Sequence, residues 1–104
     1  MQYTIKTTST YDTWFKKLKD TSGKIRILAR LDRVALGNFG DTKPIDNTIA
    51  ELRFFFGGGY RIYYLVDGDN IIWLLNGGNK SSQNNDIEKA KSILKALQKE
   101  RPWL

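Results

Sequence analysis

The hydrophobic pattern of the first third of the chain predicts one strand followed by two helices. Residues 3–8 (YTIKTT) alternate and are rich in β-branched side chains, which is typical of a strand. In residues 9–20 (STYDTWFKKLKD), apolar side chains recur at i, i+3, i+4 and i+7, so we expect a helix with Ser9 or Thr10 as its N-cap. Residues 24–36 predict a second helix, antiparallel to the first, that stops at the following glycines. Its predicted inward face holds Ile27, Leu28, Leu31, Val34 and Ala35.

The remainder of the chain predicts three strands and a last helix. After a loop (38–48), strand-like runs cover residues 49–56, 60–66 and 71–76, joined by short Gly/Asp/Asn connections that favour antiparallel hairpins. Residues 86–100 predict an amphipathic helix, after which Trp103 could dock on the sheet. The order β-α-α-β-β-β-α predicts an α+β fold: an antiparallel sheet packed against an N-terminal helical hairpin and a C-terminal helix. We expect residues 1–104 to form a single domain.

The composition gives the chain a net positive charge and limits the side chains that could bind a metal or act as acids and bases. The 17 Lys and Arg against 11 Asp and Glu give a net charge of +6, which favours a polyanionic partner such as nucleic acid, the ribosome or an acidic protein. A soluble basic protein without such a partner is nearly as plausible on charge alone. The chain lacks cysteine, which excludes disulfides and thiolate metal sites and suits the cytoplasm. It also lacks histidine, so any acid–base chemistry falls to Lys, Arg, Tyr, Asp or Glu. The start of the sequence contains no long apolar run, so we expect it to be neither a signal peptide nor a membrane anchor.

One polar cluster is predicted on the second and third strands. Alternation places Arg53 and Arg61 on one face of the predicted hairpin, with Glu51 and Tyr63 nearby. From the pattern alone, a cross-strand Glu–Arg pair on a solvated face is the favoured interpretation. The clustering of guanidinium and phenol groups nevertheless suits a phosphate flanked by stacked bases.

Two further basic segments are weaker candidates. Residues 77–83 (GGNKSSQ) place Lys80 in a glycine-containing loop, but the full GxxxxGK[ST] pattern is missing and a flexible loop is favoured. Arg26, Arg30 and Arg33 form a stripe on the second helix, which is usually a solvated face and at best contacts phosphates. The sequence holds no ligand set for a metal.

The segments GNFGDTKPI, ELR, GYRIYY and GGNKSSQ, in this order, carry a family resemblance. The chain resembles the RelE/ParE superfamily of type II toxins, in particular the HigB-like addiction module killer proteins. The resemblance implies a cytoplasmic toxin neutralised by a cognate antitoxin, whose gene lies next to its own. It also implies cleavage of mRNA on the ribosome by attack of a ribose 2′-OH on the adjacent phosphate, without a metal or cofactor.

The resemblance also implies roles for individual residues. The catalytic candidates are Arg61, Lys80, Arg53 and Asp86, with Asp86 as a possible base. Glu51 would orient Arg53. Related ribonucleases carry Tyr or His where the last helix begins, and here Asp86 or Gln83 would stand in that place. The candidate RNA contacts are Arg26, Arg30, Arg33, Lys43, Tyr63 and Gln83, with Tyr63 as a stacking or acid group.

Two alternatives stay open at the level of sequence. The missing Tyr or His is compatible with a ParE-like protein that inhibits DNA gyrase by binding and cleaves nothing. A basic RNA-binding module without catalysis is the other alternative.

Overall fold

The computed structural model describes residues 2–104 and contains one five-stranded sheet with helices on both faces. The strand order across the sheet is β1-β5-β4-β3-β2. The elements are β1 (Thr4–Thr7), α1 (Ser9–Lys17), α2 (Thr21–Ala35), β2 (Thr42–Pro44), β3 (Ala50–Arg53), β4 (Arg61–Asp67), β5 (Ile71–Gly78), a 3-10 turn (Lys80–Ser82) and α3 (Gln83–Glu100). The predicted α+β class and the order of the predicted elements are confirmed.

The sheet differs from the predicted one at its two edges. Strand β1 pairs with β5 in parallel, so the sheet is mixed, and the prediction of a wholly antiparallel sheet is wrong. Alternation in a sequence reports which side chains share a face and carries no information on strand direction, which explains the error. At the other edge, β2 lies within the segment predicted as a loop and pairs with β3 from Thr42 to Pro44. Its three residues are all exposed, so no apolar pattern marks the strand.

The helices begin where a side chain caps them. Thr8, rather than the predicted Ser9 or Thr10, caps α1 by accepting a hydrogen bond from the Tyr11 amide at 3.1 Å. Asp20 caps α2 by accepting from the Gly23 amide at 2.9 Å, which starts that helix three residues before the predicted position. A Cβ at Gly23 would lie 2.5 Å from Asp20 Oδ2, so this capped turn needs glycine.

Both faces of the sheet are buried. On one face, α1 and α2 cover a cluster that includes Tyr11, Ile27 and Ile62. On the other face, α3 packs Ala90 and Leu94 against Tyr63, Leu65 and Leu75. The face of the sheet that the sequence predicts to be solvated is therefore covered by α3. Leu28, predicted to face inward, is 51% exposed, because α2 contacts the sheet through the stripe that contains Ile27 and Val34.

The C-terminal tail returns to the far end of β4. Trp103 Nε1 donates a hydrogen bond to Asp67 Oδ1 at 2.8 Å, and Gln98 Nε2 donates to the Leu104 carbonyl at 2.7 Å. Trp103 thus contacts the sheet, as predicted, although the residue remains 69% exposed. None of the helices in residues 2–104 has the length and apolar character needed to cross a membrane.

Candidate functional site

The two arginines of the β3–β4 hairpin lie side by side. The hairpin register pairs Arg53 with Arg61 and Glu51 with Tyr63, and β5 continues the two rows with Gly78 and Asn76. Directly paired residues share a face of the sheet, so the four polar side chains belong to the face on which Tyr63 packs against α3. The predicted cluster is confirmed as a geometric feature. It lies at the end of β4 where the glycine-containing turn joins the strand.

The pair formed by Arg61 and Glu51 is buried. Arg61 Nε lies 3.6 Å from Glu51 Oε2, and the two side chains are 12% and 1% exposed. Gln83, in the first turn of α3, donates from Nε2 to both carboxylate oxygens of Glu51 at 3.1 and 3.3 Å. The surface ion pair favoured by the pattern is therefore wrong, because α3 covers this face. Glu51 instead lies beneath Arg61, whose buried Nε makes no hydrogen bond within residues 2–104, while Arg61 Nη1 donates to the Gly59 carbonyl at 2.8 Å.

A turn of three glycines brings Lys80 next to Arg61. Gly57, Gly58 and Gly59 have φ values of 60, 69 and 78°, a left-handed conformation that favours glycine. The Lys80 amide donates to the Gly58 carbonyl at 3.2 Å, which joins the loop after β5 to this turn. A Cβ at Gly59 would lie 3.2 Å from Arg61 Nη1 and 3.4 Å from Lys80 Cβ, so the two cationic residues flank one point.

One cavity collects the predicted cations. Its volume is about 330 Å³, and we call it the cation cavity. It is lined by Arg53, Phe54, Phe55, Gly58, Gly59, Arg61 and Lys80. Within the described part of the chain, its lining contains cationic, aromatic and glycine residues and no carboxylate. Such a wall is suited to a phosphate group.

Arg53 also lines this cavity, and it forms an ion pair with Asp41. Its Nη2 and Nε lie 2.9 and 3.2 Å from Asp41 Oδ1, and this interaction raises the pKa of Arg53 above its ordinary value. The structure thus gives Arg53 a partner other than the predicted Glu51. Its side chain is 37% exposed, so part of the guanidinium remains accessible to a ligand.

Asp86 lies in a separate cavity. It is 8% exposed, accepts a hydrogen bond from Ser82 Oγ, and leaves no space for a side chain at Gly78. The cavity next to it, about 550 Å³ in volume, lies between α1 and the start of α3 and is lined also by Trp14 and Lys89. Asp86 does not line the cation cavity, so the geometry does not bring this predicted base to the predicted cations.

Tyr63 is enclosed beneath α3. The residue is 0% exposed, and its hydroxyl is buried without a hydrogen-bond partner. Burial, followed by the nearby carboxylates of Glu51 and Asp86, raises the pKa of Tyr63 above its ordinary value. A ring in this position has no free face for a base, so the structure contradicts the predicted stacking role.

The three arginines of α2 separate into different environments. Arg30 donates to the carbonyls of Phe39 (2.7 and 3.0 Å), Asp41 (2.8 Å) and Arg53 (2.8 Å). Desolvation lowers the pKa of Arg30, and its guanidinium lies 4.8 Å from the Phe54 ring centre. The geometry therefore gives Arg30 a structural role in place of the predicted RNA contact.

The other two arginines of the stripe remain available. Arg33 is exposed, and Arg26 lies over the Phe56 ring at 4.6 Å. Both line a second groove of about 450 Å³, which we call the arginine groove and which shares Arg53, Phe54 and Phe55 with the cation cavity. Lys43 is exposed on β2, where its backbone pairs with that of Glu51. The side chain of Gln83 donates a hydrogen bond to the Glu51 carboxylate.

Sequence reasoning missed Phe55. The sequence pattern predicts that the run FFF continues a strand over residues 49–56, but β3 ends at Arg53 and residues 54–60 form the turn. Phe54 and Phe56 pack inward, whereas Phe55 is 90% exposed and lines both the cation cavity and the arginine groove. The three glycines that follow were the one indication that the strand stops early.

The fold and this site define a class: small α+β proteins with a RelE-type sheet and a basic cavity at the end of a central hairpin. The structure aligns with a double arginine-to-alanine mutant of the E. coli toxin RelE in the free state, with TM-score 0.70, 16% identity, and 89% and 99% of the two chains covered. It aligns also with the RelBE2 toxin–antitoxin complex of Mycobacterium tuberculosis, with TM-score 0.53, 22% identity, and 77% and 100% covered. At these identities the likeness establishes the RelE fold alone.

The family is established by sequence. The chain belongs to the family of phage derived protein Gp49-like (DUF891) sequences, whose model matches residues 13–99. A relative in Haemophilus influenzae, described as an uncharacterized protein, is 44% identical over 97 residues, covering 93% of this chain and 98% of the relative. Taken together with the RelE fold, membership of this family confirms the resemblance to the RelE/ParE superfamily, and the HigB-like branch stays a prediction.

Proposed function

We propose that this protein is the toxin of a type II toxin–antitoxin system and acts as a ribosome-dependent mRNA endoribonuclease. The single observation that carries the proposal is the cation cavity, in which Arg53, Arg61 and Lys80 surround a space large enough for a phosphodiester. The RelE fold supports the toxin class. The net charge of +6 supports a polyanionic substrate.

The reaction is a transesterification within RNA. A ribose 2′-oxygen attacks the neighbouring phosphorus and loses its proton, and the bond from phosphorus to the 5′-oxygen breaks. The products are a 2′,3′-cyclic phosphate and a 5′-hydroxyl, whose oxygen takes up a proton. Negative charge accumulates on the phosphorane oxygens between these events, and fixed cations at that place lower the barrier.

The three cations differ in how firmly they are held. Arg61 is largely buried, donates to the Gly59 carbonyl and lies 3.6 Å from Glu51, so its guanidinium has little freedom to move and is pre-organised for the reaction. Lys80 is exposed at the start of the 3-10 turn and supplies a second positive charge. Arg53 adds the accessible part of a guanidinium that Asp41 already orients. Since Asp86 lines another cavity, the proposal assigns proton transfer to water or to groups supplied by the ribosome.

A cognate antitoxin follows from the same proposal. One solved relative of this fold is described as a toxin–antitoxin complex. An antitoxin that covers the cation cavity must neutralise its positive potential, so we expect an acidic segment to lie there in the complex. The predicted cytoplasmic location agrees with a target on the ribosome.

Lys80 offers the cleanest test because it is exposed and its removal leaves the buried pairs intact. We expect Lys80→Ala to slow cleavage of ribosome-bound mRNA by roughly 10²–10³-fold, the effect of one well-placed oxyanion donor. The matched control is Lys95→Ala, which removes an exposed lysine from α3 and should cleave at the wild-type rate. Equal rates for Lys80→Ala and wild type would exclude this residue from the site. Inhibition of purified gyrase by the wild-type protein, without RNA cleavage, would replace the proposal by the ParE-like alternative.

A further inference from the structure

Phe55 is an exposed aromatic ring that the fold does not use. It is 90% exposed, the highest value among the large hydrophobic residues exposed in the described chain. Its neighbours in sequence are packed: Phe54 is 4% exposed and belongs to the core, and Phe56 packs against that core. Packing therefore explains two of the three consecutive phenylalanines and leaves Phe55 unexplained.

The turn that presents Phe55 is well tied. The Phe54 amide donates to the Tyr60 carbonyl at 3.0 Å, and the Gly59 and Tyr60 amides donate to the Phe56 carbonyl at 3.0 and 3.1 Å. The Phe56 ring meets Phe54 and Tyr60 edge-on, with centroids 5.6 and 5.8 Å apart. Because both neighbours of Phe55 are anchored, its backbone is held in place and its ring is offered to solvent from a fixed position.

All charged residues that line the two cavities beside this ring are cations. Phe55 lines the cation cavity together with Arg53, Arg61 and Lys80. It also lines the arginine groove, together with the exposed residues Arg26 and Arg33. An apolar ring between two groups of cations matches the alternation of phosphate and base along a single strand. An acidic peptide would use the cations, but it has no comparable need for a flat apolar surface between them.

We propose that Phe55 is a base-stacking residue that holds one unpaired RNA base next to the phosphate in the cation cavity. The RNA strand then runs from Arg61 and Lys80 in the cation cavity, over Phe55, into the arginine groove. There it reaches Arg26 and Arg33. This inference rests on the proposed function in taking RNA as the ligand. It assigns to Phe55 the stacking role that sequence reasoning gave to Tyr63.

Stacking can be observed directly with a fluorescent base. The probe is a 2′-O-methyl RNA hexanucleotide, which cannot undergo 2′-OH attack, with 2-aminopurine placed at each position in turn. Stacking on an aromatic ring quenches 2-aminopurine, so the signal reports contact and does not depend on cleavage. The proteins compared are wild type, Phe55→Ala, Phe55→Tyr and the control Trp103→Ala, which removes an exposed aromatic ring at the other end of β4.

We expect quenching by wild type at one position, loss of that quenching in Phe55→Ala, and recovery in Phe55→Tyr. The affinity of Phe55→Ala for the hexanucleotide should fall roughly 5- to 100-fold, while Trp103→Ala binds as wild type. Absence of binding by wild type, or equal quenching by Phe55→Ala, would overturn the inference. Loss of antitoxin binding in Phe55→Ala with unchanged RNA binding would also overturn it, in favour of a protein interface.

The stacking assay and the mRNA cleavage assay can fail independently of each other. If quenching at one position depends on Phe55 but ribosome-bound mRNA is not cut, the stacking residue stands and the nuclease proposal fails. If mRNA is cut and Phe55→Ala binds and quenches as wild type does, the nuclease proposal stands and the stacking residue fails.

Discussion

Replacing Glu51 by glutamine tests whether the ion pair beneath α3 is as buried as the structure shows. The side chain of Glu51 is 1% exposed, and its carboxylate lies 3.6 Å from the guanidinium of Arg61, whose side chain is 12% exposed. Glu51→Gln keeps the size of the side chain and leaves Arg61 as a buried cation without an opposite charge. Removal of one partner of a buried pair costs about 3–5 kcal/mol. Because Arg61 retains some access to solvent through the cation cavity, we expect the lower end, about 3 kcal/mol.

The assay is thermal and urea unfolding of the two proteins at pH 7. For a domain of this length, 1 kcal/mol corresponds to roughly 4–8 °C, so Tm should fall by roughly 12–24 °C. Glu88→Gln is the matched control, since Glu88 is 75% exposed and lies 4.0 Å from Lys91 on the same helix. That variant should stay within about 0.5 kcal/mol of wild type, as expected for an exposed pair.

A double variant separates the charge effect from a packing effect. Glu51→Met with Arg61→Met leaves no unpaired charge, so it should recover most of the stability that Glu51→Gln loses. A loss below about 1 kcal/mol in Glu51→Gln is the value of a solvated pair and would refute the buried arrangement. Failure of the double variant to recover would show that shape, rather than charge, determines the cost.

The remaining predictions concern Tyr63 and Arg30. Tyr63→Phe removes a buried hydroxyl that lacks a partner, so urea unfolding should show equal or greater stability, by up to about 1 kcal/mol, and cleavage should be unchanged. A stability loss above about 1 kcal/mol would mean that the hydroxyl makes a hydrogen bond in solution. Arg30→Lys should lose at least about 1.5–3 kcal/mol, because one amine cannot serve the three carbonyls that the guanidinium reaches. The control Arg33→Lys should unfold as wild type does, and equal stability of the two variants would contradict the structural role of Arg30.

Periodicity predicts the regular elements well because burial is encoded in spacing. Most side chains in the stripes of α1 and α2, and in β4, are buried or pack against the core, with Leu28 and Val66 as exposed exceptions. The same alternation places Arg53 and Arg61 on one face, and the register confirms it. Alternation does not show whether a helix or solvent covers each face of the sheet. The sequence left the Arg61 face to solvent, while α3 covers it and turns a surface pair into a buried one.

The candidate site depends on irregular segments, which periodicity does not describe. Lys80 meets Arg61 only because three left-handed glycines fold the turn back toward the loop after β5. Arg30 leaves the predicted basic stripe because the loop after α2 presents carbonyl groups to it, including that of Phe39. Backbone carbonyls have no sequence pattern, so this loss of a candidate RNA contact was not predictable. The exposure of Phe55 likewise depends on an irregular segment, the turn over residues 54–60.

The central claim is that this protein cuts mRNA on translating ribosomes through the cation cavity. The most direct test is primer-extension mapping of transcripts after induction without antitoxin, with and without an inhibitor of translation initiation, for wild type and Lys80→Ala. The account predicts cuts within codons that require translation, occur in wild type and are lost or strongly reduced in Lys80→Ala. Growth arrest by the wild-type protein with intact transcripts would contradict it.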